Sequence, residues 1–446
     1  MGGTPGTTGS SSDGPTSAEV TGDPSGDPSG DPSGTDDTGD DPVPSGCEPL
    51  PEPAGEIVDV ALGDDLAAAI ANAPAGATVR LADGTYDVGA AGLWVGANDV
   101  TIRSASGDRE SVVLDGGYQQ ESGGLLNVAG RSGVTIAHLS IRRARYHTVH
   151  VTGSPDGPSP NARLYDLHLS DPGEQAVKIN SNYDFDNDDG EVACSLIELT
   201  DEGRAQVMTY ESSGIFCYTG GIDAHRARGW TIRDNEIRGF WCSNEYLSEH
   251  GIHLWRGSRD TVVERNLLVD NARGIGFGLG QPTEGRTYDD DPCPGVALAG
   301  HWGGSIRNNV IIGTRPELFA SPAGMDVGIA LEASCGTTIA HNTVVSAMPP
   351  YSSIEWRWAE TTVQLVNNLV SHNLRERDGG VAMSAGNLEN ADVAMLVDFA
   401  GEDAHLAAGA AALDAGDPSG IALAPNDLDG DARSDPPDVG ADERVR

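Results

Sequence analysis

A short phrase of alternating apolar and polar residues returns along the chain from residue 99 onward. It reads VTIRSAS at 100, VTIAHLSI at 134, TIRDNEI at 231, VVERNLL at 262, SIRNNVI at 305, TIAHNTV at 338 and VQLVNNLV at 363. Alternation of this kind is typical of a β-strand with one buried face. The pattern therefore predicts many short strands of one recurring type.

The last five phrases carry an asparagine at the same place, and the intervals between these asparagines are irregular. The five are Asn235, Asn266, Asn309, Asn342 and Asn368. Irregular intervals indicate loops of variable length on a fixed structural repeat. Because each coil of a solenoid buries its apolar face only by stacking on its neighbours, the repeat predicts a parallel β-helix. We expect the asparagines to satisfy backbone groups at buried turns rather than to bind a ligand.

The two ends of the chain add to this picture. Residues 1–54 are rich in Gly, Ser, Thr, Pro and Asp, with the repeat GDPSGDPSGDPSG, and this composition predicts a disordered linker. Residues 55–446 are expected to form a single β-helix domain. Its first element is a short alanine-rich helix, capped by Asp64 or Asp65 and ended by Pro74, after which a strand leads to ADGTY.

The start PAGATVRLADGTY and the closing DLDGDARSDPPDVGADE at 427–443 carry a family resemblance. Across 55–443 the chain resembles the secreted right-handed β-helix proteins of the pectate-lyase-like superfamily. The resemblance implies an all-β fold, a right-handed parallel β-helix with an N-terminal capping helix. It indicates an architecture more than an activity.

Aligning the coils also brings an upstream strand into register and predicts two columns of outward-facing residues. The first column is Asn127, His150, Lys178, Asp223, His253, Gly276 and Ala330. The second is Thr152, Asn180, His225, Trp255, Gly278 and Glu332. Adjacent coils lie about 4.8 Å apart, so Lys178, Asp223 and His253 are expected to touch one another. Lys178 is the only lysine of the chain, and a plain salt bridge to Asp223 is the structural alternative to a functional role.

These columns and the loops beside them supply the predicted site. The predicted catalytic residues are Lys178, Tyr218, Asp223, His225 and His253. The predicted substrate-binding residues are Asn180, His150, Arg228, His250, Trp255, Arg256 and Arg273. The outward glycines of RGIGFGLG at 273–280 are expected to leave space beside the cluster, and transition-metal binding by the histidines is an open alternative.

The segment GGIDAHRARGWTIRDN at 220–235 resembles the Asp-x-His region of the mannuronan C5-epimerases. On that resemblance Asp223 and His225 match directly, Lys178 by column and Tyr218 loosely. The usual proline and glutamate are replaced by Ala224 and Arg226, and the tyrosine lies two residues too far upstream. The resemblance implies proton abstraction at C5 of a uronic acid, as in epimerases and lyases, with Tyr218 or His225 moving the proton.

A cationic group must then hold the substrate carboxylate, a role that suits Lys178 and an arginine. We expect Lys178→Ala to abolish turnover without changing the melting temperature. Two other functions stay open: a surface protein that binds glycans without catalysis, and a glycoside hydrolase, which needs paired carboxylates. The loop SNYDFDNDDGEVAC at 181–194 is either a calcium site, with Asp184, Asp186 and Asp188 as ligands, or a solvated acidic loop.

Charge and composition narrow the class of partner. A net charge of −41 and a pI near 4.3 argue against nucleic acid or an anionic membrane, and a polysaccharide is the expected partner. No apolar run is long enough to predict a transmembrane segment. The six cysteines form no CxxC pair, which favours disulfides and a secreted or surface location. The N-terminal linker resembles the segment that follows the lipidated cysteine of bacterial surface lipoproteins, which agrees with that location. A monomer is expected.

Overall fold

The computed structural model describes residues 47–121, 123–209, 211–212 and 214–445, so residues 1–46 of the predicted linker lie outside the described part. The described chain winds into coils whose strands stack in parallel, forming one sheet of ten strands and one of 22 strands. The predicted parallel β-helix is confirmed. Its core is a continuous stack of Val, Ile and Leu side chains, among them Val177, Ile179 and Ile222, all fully buried.

The ten-stranded sheet carries both predicted columns, and we call it the site sheet. Its strands are Leu93–Trp94, Gly124–Ala129, His147–Thr152, Gln175–Asn180, Gly220–His225, Ile252–Trp255, Arg273–Phe277, Val327–Glu332, Ser352–Arg357 and Leu374–Arg377. The register pairs His150 with Lys178, Lys178 with Asp223, and Asp223 with His253. The first column continues through Gly276 to Ala330, as predicted.

The 22-stranded sheet forms the remaining faces of the β-helix. Its strands are Ile57–Val60, Thr78–Leu81, Gly84–Asp87, Thr101–Ser104, Val112–Asp115, Thr135–Arg142, Arg163–Ser170, Glu191–Ala193, Leu196–Glu198, Thr231–Arg233, Glu236–Arg238, Ser258–Arg259, Val262–Glu264, Leu267–Val269, His301–Trp302, Ser305–Arg307, Val310–Gly313, Ser334–Ala340, Thr343–Ser346, Thr362–Val366, Leu369–Val370 and Val381–Ala385. Two small antiparallel pairs are Glu211–Ser212 with Ile215–Phe216, and Leu396–Asp398 with Asp403–Leu406.

Four short α-helices and one 3-10 turn lie between the strands of the described chain. They are Leu66–Asn72, Asp201–Val207, Pro316–Ala320 and Ser419–Leu423, with a 3-10 turn at Val393–Met395. The first is the predicted capping helix. The Asp65 side chain accepts a hydrogen bond from the Ala68 backbone N–H at 2.9 Å. The helix ends at Asn72 because a proline disfavours helical backbone at the residue before it, which here is Ala73.

The five predicted asparagines stack into a buried ladder. Each donates from Nδ2 to Oδ1 of the next at 2.9 to 3.0 Å, and Asn368 continues the ladder to a sixth member, Asn387, at 2.8 Å. They also bond the backbone of neighbouring turns, so the structural role expected of them is confirmed. The sequence pattern did not identify Asn387, because its segment, SAGNLEN, lacks the alternation of apolar and polar residues.

Three disulfides hold loops to the coils: Cys47–Cys194, Cys217–Cys242 and Cys293–Cys335. The first holds the last residues of the predicted linker against the β-helix, where the Tyr165 hydroxyl donates to the Glu48 carbonyl at 2.5 Å. Within the described ranges, no helix is long and apolar enough to cross a membrane.

Candidate active site

Lys178, Asp223 and His225 meet on the site sheet in a closed triangle of contacts. The Lys178 ammonium donates to Asp223 Oδ2. His225 Nε2 lies 3.0 Å from that same oxygen and 3.1 Å from Lys178 Nζ. Together with Trp255, which binds the other oxygen of Asp223, these residues form what we call the lysine cluster. It brings together four of the residues predicted from the two columns.

Asp223 is the anchor of this cluster. Its Oδ1 atom accepts a hydrogen bond from Trp255 Nε1 at 2.8 Å and lies 3.6 Å from His253 Nδ1. Burial alone would raise the pKa of Asp223, but the charge of Lys178 and the hydrogen bond to His225 outweigh it and hold that pKa well below its usual range. Asp223 is thus a permanently ionised, fully engaged carboxylate, suited to orienting its neighbours and not to donating a proton.

The surroundings of His225 favour its neutral form. Burial lowers the pKa of His225, and the cations Lys178 and Arg256 lower it further, against the opposing effect of Asp223. The imidazole packs edge-on against the Trp255 ring, with centroids 4.5 Å apart. A neutral imidazole held between a carboxylate and an ammonium has the properties of a general base.

His253 and His250 lie on the other side of Asp223. His253 Nε2 donates to the Gly278 carbonyl at 3.0 Å, and its Nδ1 lies 3.5 Å from Glu249 Oε2. Burial opposes charge on His253, yet Glu249 and Asp223 outweigh it and raise the pKa of this imidazole. Burial drives the pKa of His250 well below its usual value. The two rings are tilted by 35° to each other, with centroids 4.4 Å apart.

Gly276 makes room for the ring of His250. A Cβ atom at Gly276 would lie 2.7 Å from His250 Nε2, which is closer than real Cβ contacts come. The space predicted beside the outward glycines is therefore filled by the imidazole of His250.

Tyr218 lies on a loop, close enough to Asp223, Glu249 and Glu174 for their charges to act on it. The loop is held by the disulfide between the adjacent Cys217 and Cys242. Burial raises the pKa of the Tyr218 phenol, and the carboxylates of Asp223, Glu249 and Glu174 raise it further. The phenol stays protonated, so it is a proton donor in the resting protein.

Glu174 and Glu249 were missed as site residues by sequence reasoning. Both lie four residues before an outward-column residue, ahead of Lys178 and His253 respectively. That shared position is the signal that could have found them. Burial raises the pKa of Glu174, whose Oε1 accepts a hydrogen bond from the Ser212 hydroxyl.

His150 and Asn180 lie on the upstream side of the lysine cluster. His150 Nε2 donates to Asn180 Oδ1 at 2.9 Å, so these two predicted substrate-binding residues bind each other. The neighbouring His147 was not predicted; its ring centroid is 5.4 Å from that of His150, and its Nδ1 donates to the Gln175 carbonyl at 3.0 Å.

Of the three predicted arginines, Arg256 and Arg273 lie beside residues of the site and Arg228 does not. Arg256 lies over the Trp255 ring, with its guanidinium carbon 4.6 Å from the centroid, and is about 41% exposed. Arg273 pairs with Asp326 at 3.2 Å and lines a pocket of about 300 Å³ with His250. Arg228 instead forms ion pairs with the acidic loop.

Two of the three predicted calcium ligands are bound to arginines. Asp186 accepts two hydrogen bonds from Arg226, at 2.8 and 3.4 Å, and Asp188 accepts two from Arg286, at 2.7 and 2.9 Å. Asp184 is exposed. These pairs attach the acidic loop to the next coils, and calcium binding there stays a prediction from sequence.

No family model matches this chain, and no curated protein matches it. Among solved structures it is similar to pectate lyase Pel9A, with 15% identity, 88% of this chain and 97% of that chain covered, and a TM-score of 0.57. It is also similar to an alginate lyase from Paenibacillus sp. str. FPU-7, with 18% identity, 74% and 99% covered, and a TM-score of 0.51. The A-module of the Azotobacter vinelandii mannuronan C-5 epimerase AlgE6 gives 14% identity, 72% and 93% covered, and a TM-score of 0.45. The first two likenesses show that the chain has the parallel β-helix fold of a pectate lyase and an alginate lyase.

Proposed function

We propose that this protein acts on a uronate-containing polysaccharide by removing the C5 proton of a uronic acid, as a lyase or an epimerase. The observation that carries the proposal is the contact of His225 with both Lys178 and Asp223 on the site sheet. The fold shared with a pectate lyase and an alginate lyase supports it, since pectate and alginate are uronate polymers.

His225 is the proposed base. Lys178 can only donate and Asp223 can only accept, and both contact His225 Nε2. In the tautomer that the proposal requires, Nε2 donates to Asp223 Oδ2, Lys178 donates to that same oxygen, and the lone pair lies on Nδ1. That lone pair takes the C5 proton. The resulting imidazolium is stabilised by the carboxylate of Asp223, in the way that a carboxylate supports a catalytic histidine in other enzymes.

Lys178 and Arg256 are the proposed electrostatic partners of the substrate. Loss of the C5 proton moves negative charge onto the uronate carboxylate, and nearby cations stabilise that charge in the transition state. Arg256 is exposed enough to bind the carboxylate directly, whereas the Lys178 side chain is 9% exposed and acts through its charge. These local cations offset the acidity of the whole chain at the place where a polyanion would bind.

Tyr218 is the proposed acid. In a lyase, the C5–H electron pair forms a C4–C5 double bond, the C4–O4 bond breaks, and the leaving oxygen takes the phenol proton. In an epimerase, the phenol instead returns a proton to C5. Both reactions begin with the same step at His225, so the same residues serve either outcome. An exported or surface location is part of this proposal, and the three disulfides support it.

The test is incubation of the purified chain with a panel of uronate polymers. A lyase produces ultraviolet absorbance from the double bond conjugated to the carboxylate, and an epimerase incorporates solvent deuterium at C5 without that absorbance. His225→Gln is expected to remove either signal, while His405→Gln, which alters a histidine bound by Asp403 and Asp429, should keep it.

New reducing ends without a double bond would indicate a hydrolase instead. Binding without any reaction would indicate a glycan-binding protein.

A further inference from the structure

Three groups of side chains in the described chain place potential metal ligands together. In the first, Cys47 and Cys194 are joined in a disulfide and offer no thiolate. In the second, both ring nitrogens of His405 donate to carboxylates, at 2.6 and 2.8 Å, so no lone pair is left for an ion. The third, which we call the histidine pair site, consists of Glu249, His250 and His253.

The hydrogen bond of His253 prepares it for a metal. Its Nε2 contacts the Gly278 carbonyl at 3.0 Å, and because a carbonyl only accepts, the proton of the neutral ring lies on Nε2. Nδ1 then lies 3.5 Å from Glu249 Oε2 and 3.6 Å from Asp223 Oδ1, so these carboxylates stabilise a cation bound at Nδ1, whether a proton or a metal ion. Histidines that bind metals typically donate their other N–H to a carbonyl or carboxylate in this way.

His250 adds a second buried nitrogen without a partner. The Nδ1 atoms of both His250 and His253 are buried and have no hydrogen-bond partner among the described residues. His250 is 5% exposed and His253 is 1% exposed, so water does not readily satisfy them. A buried polar atom without a partner is destabilising, and two of them in rings whose centroids lie 4.4 Å apart point to a missing ligand.

The carboxylates of Glu249 and Asp223 beside His253 Nδ1 favour a cation there. Arg273, which lines a pocket with His250, is already paired with Asp326. Two imidazoles and a carboxylate form a ligand set that suits Zn²⁺, whereas Ca²⁺ and Mg²⁺ prefer sites made of oxygen alone.

We propose that Glu249, His250 and His253 bind a divalent first-row transition metal ion, with Zn²⁺ as the best match. This site does not depend on the proposed reaction. It lies beside Asp223 Oδ1, on the opposite side of that carboxylate from Lys178, and leaves His225 free for substrate. His250 and His253 then act as metal ligands, in place of the substrate-binding and catalytic roles predicted for them from the sequence.

The test uses the full chain, produced without a polyhistidine tag and freed of metal with a chelator. Zn²⁺ is titrated by calorimetry in excess Mg²⁺, which occupies surface carboxylates. We expect one Zn²⁺ per chain and a higher melting temperature with Zn²⁺. Co²⁺ in the same site should give the intense visible absorption of a four-coordinate ion with nitrogen ligands.

His250→Gln and His253→Gln are expected to raise the Kd for Zn²⁺ more than about 100-fold, whereas His405→Gln should leave it unchanged. Circular dichroism confirms that each variant is folded, and the Co²⁺ spectrum of the unmodified chain remains decisive if one is not. The proposal is overturned if the unmodified chain binds no Zn²⁺ in Mg²⁺. It is also overturned if folded His250→Gln and His253→Gln proteins bind Zn²⁺ as tightly as the His405→Gln protein.

Discussion

Lys178 Nζ and His225 Nε2 lie 3.1 Å apart although 47 residues separate them along the chain. The strands that carry them are neighbours in the site sheet, so one turn of the β-helix brings them together. A cation this close to an imidazole disfavours its protonation. The lone lysine of the chain therefore helps to keep the proposed base neutral.

The pH dependence of the reaction follows from this arrangement. The pKa of His225 lies below the usual histidine value, set by burial and by Lys178 and Arg256 against Asp223. Since the base is lost only when His225 gains a proton, kcat/KM should be constant at neutral pH and fall at a pH below about 6.5. Rate measurements across acidic pH would show this limb, and a midpoint above neutral pH would contradict the assignment.

Lys178→Met should lower kcat/KM by about 100-fold or more, because the positive charge beside the substrate carboxylate is lost. It should also destabilise the protein, contrary to the expectation from sequence alone that melting is unaffected. The side chains of Lys178 and Asp223 are 9% and 3% exposed, and removing one partner of a buried ion pair costs about 3 to 5 kcal/mol.

A double variant separates the two effects. In Lys178→Met combined with Asp223→Asn, no buried charge is left unpaired, so much of the lost melting temperature should return while activity stays absent. Activity of the single Lys178→Met variant equal to that of the unmodified chain would remove Lys178 from the mechanism.

Asn309→Ala should reduce the free energy of unfolding by about 3 kcal/mol or more. Asn309 is fully buried and binds Asn266, Asn342 and two backbone carbonyls, so several groups lose their partners together. Asn387→Ala is the matched control: it lies at the end of the ladder, is only half-buried, and should cost about 1 kcal/mol. Denaturant unfolding measures both, and equal losses would contradict a cooperative ladder.

Replacing Cys217 and Cys242 together by serine should reduce activity strongly, because this disulfide holds the loop of Tyr218 against the site. The loss of stability should be about 3 kcal/mol. Replacing Cys293 and Cys335 gives a control of similar stability cost on another loop, and it should keep its activity. Comparable activity in the two double variants would show that the disulfide beside Tyr218 does not position a catalytic group.

The sequence alone was sufficient for the recurring strands, five members of the asparagine ladder and the order of the first outward column. Side chains alternate across a strand with a period of two, so residues such as Lys178 and Asp223 fall into register once the coils are aligned. Asn266 and Asn309 were predictable for the same reason, since stacking repeats the same contact from coil to coil.

Only the tertiary structure decided which loop residues join the columns and how each ionisable group behaves. Glu174, Tyr218 and Glu249 enter the site through loops whose course no strand periodicity encodes. Asp188 binds Arg286, 98 residues away, and this pairing rests on loop packing alone. The protonation of His225 and Asp223 likewise depends on burial and on neighbours from other coils, because those two quantities exist only once the chain has folded.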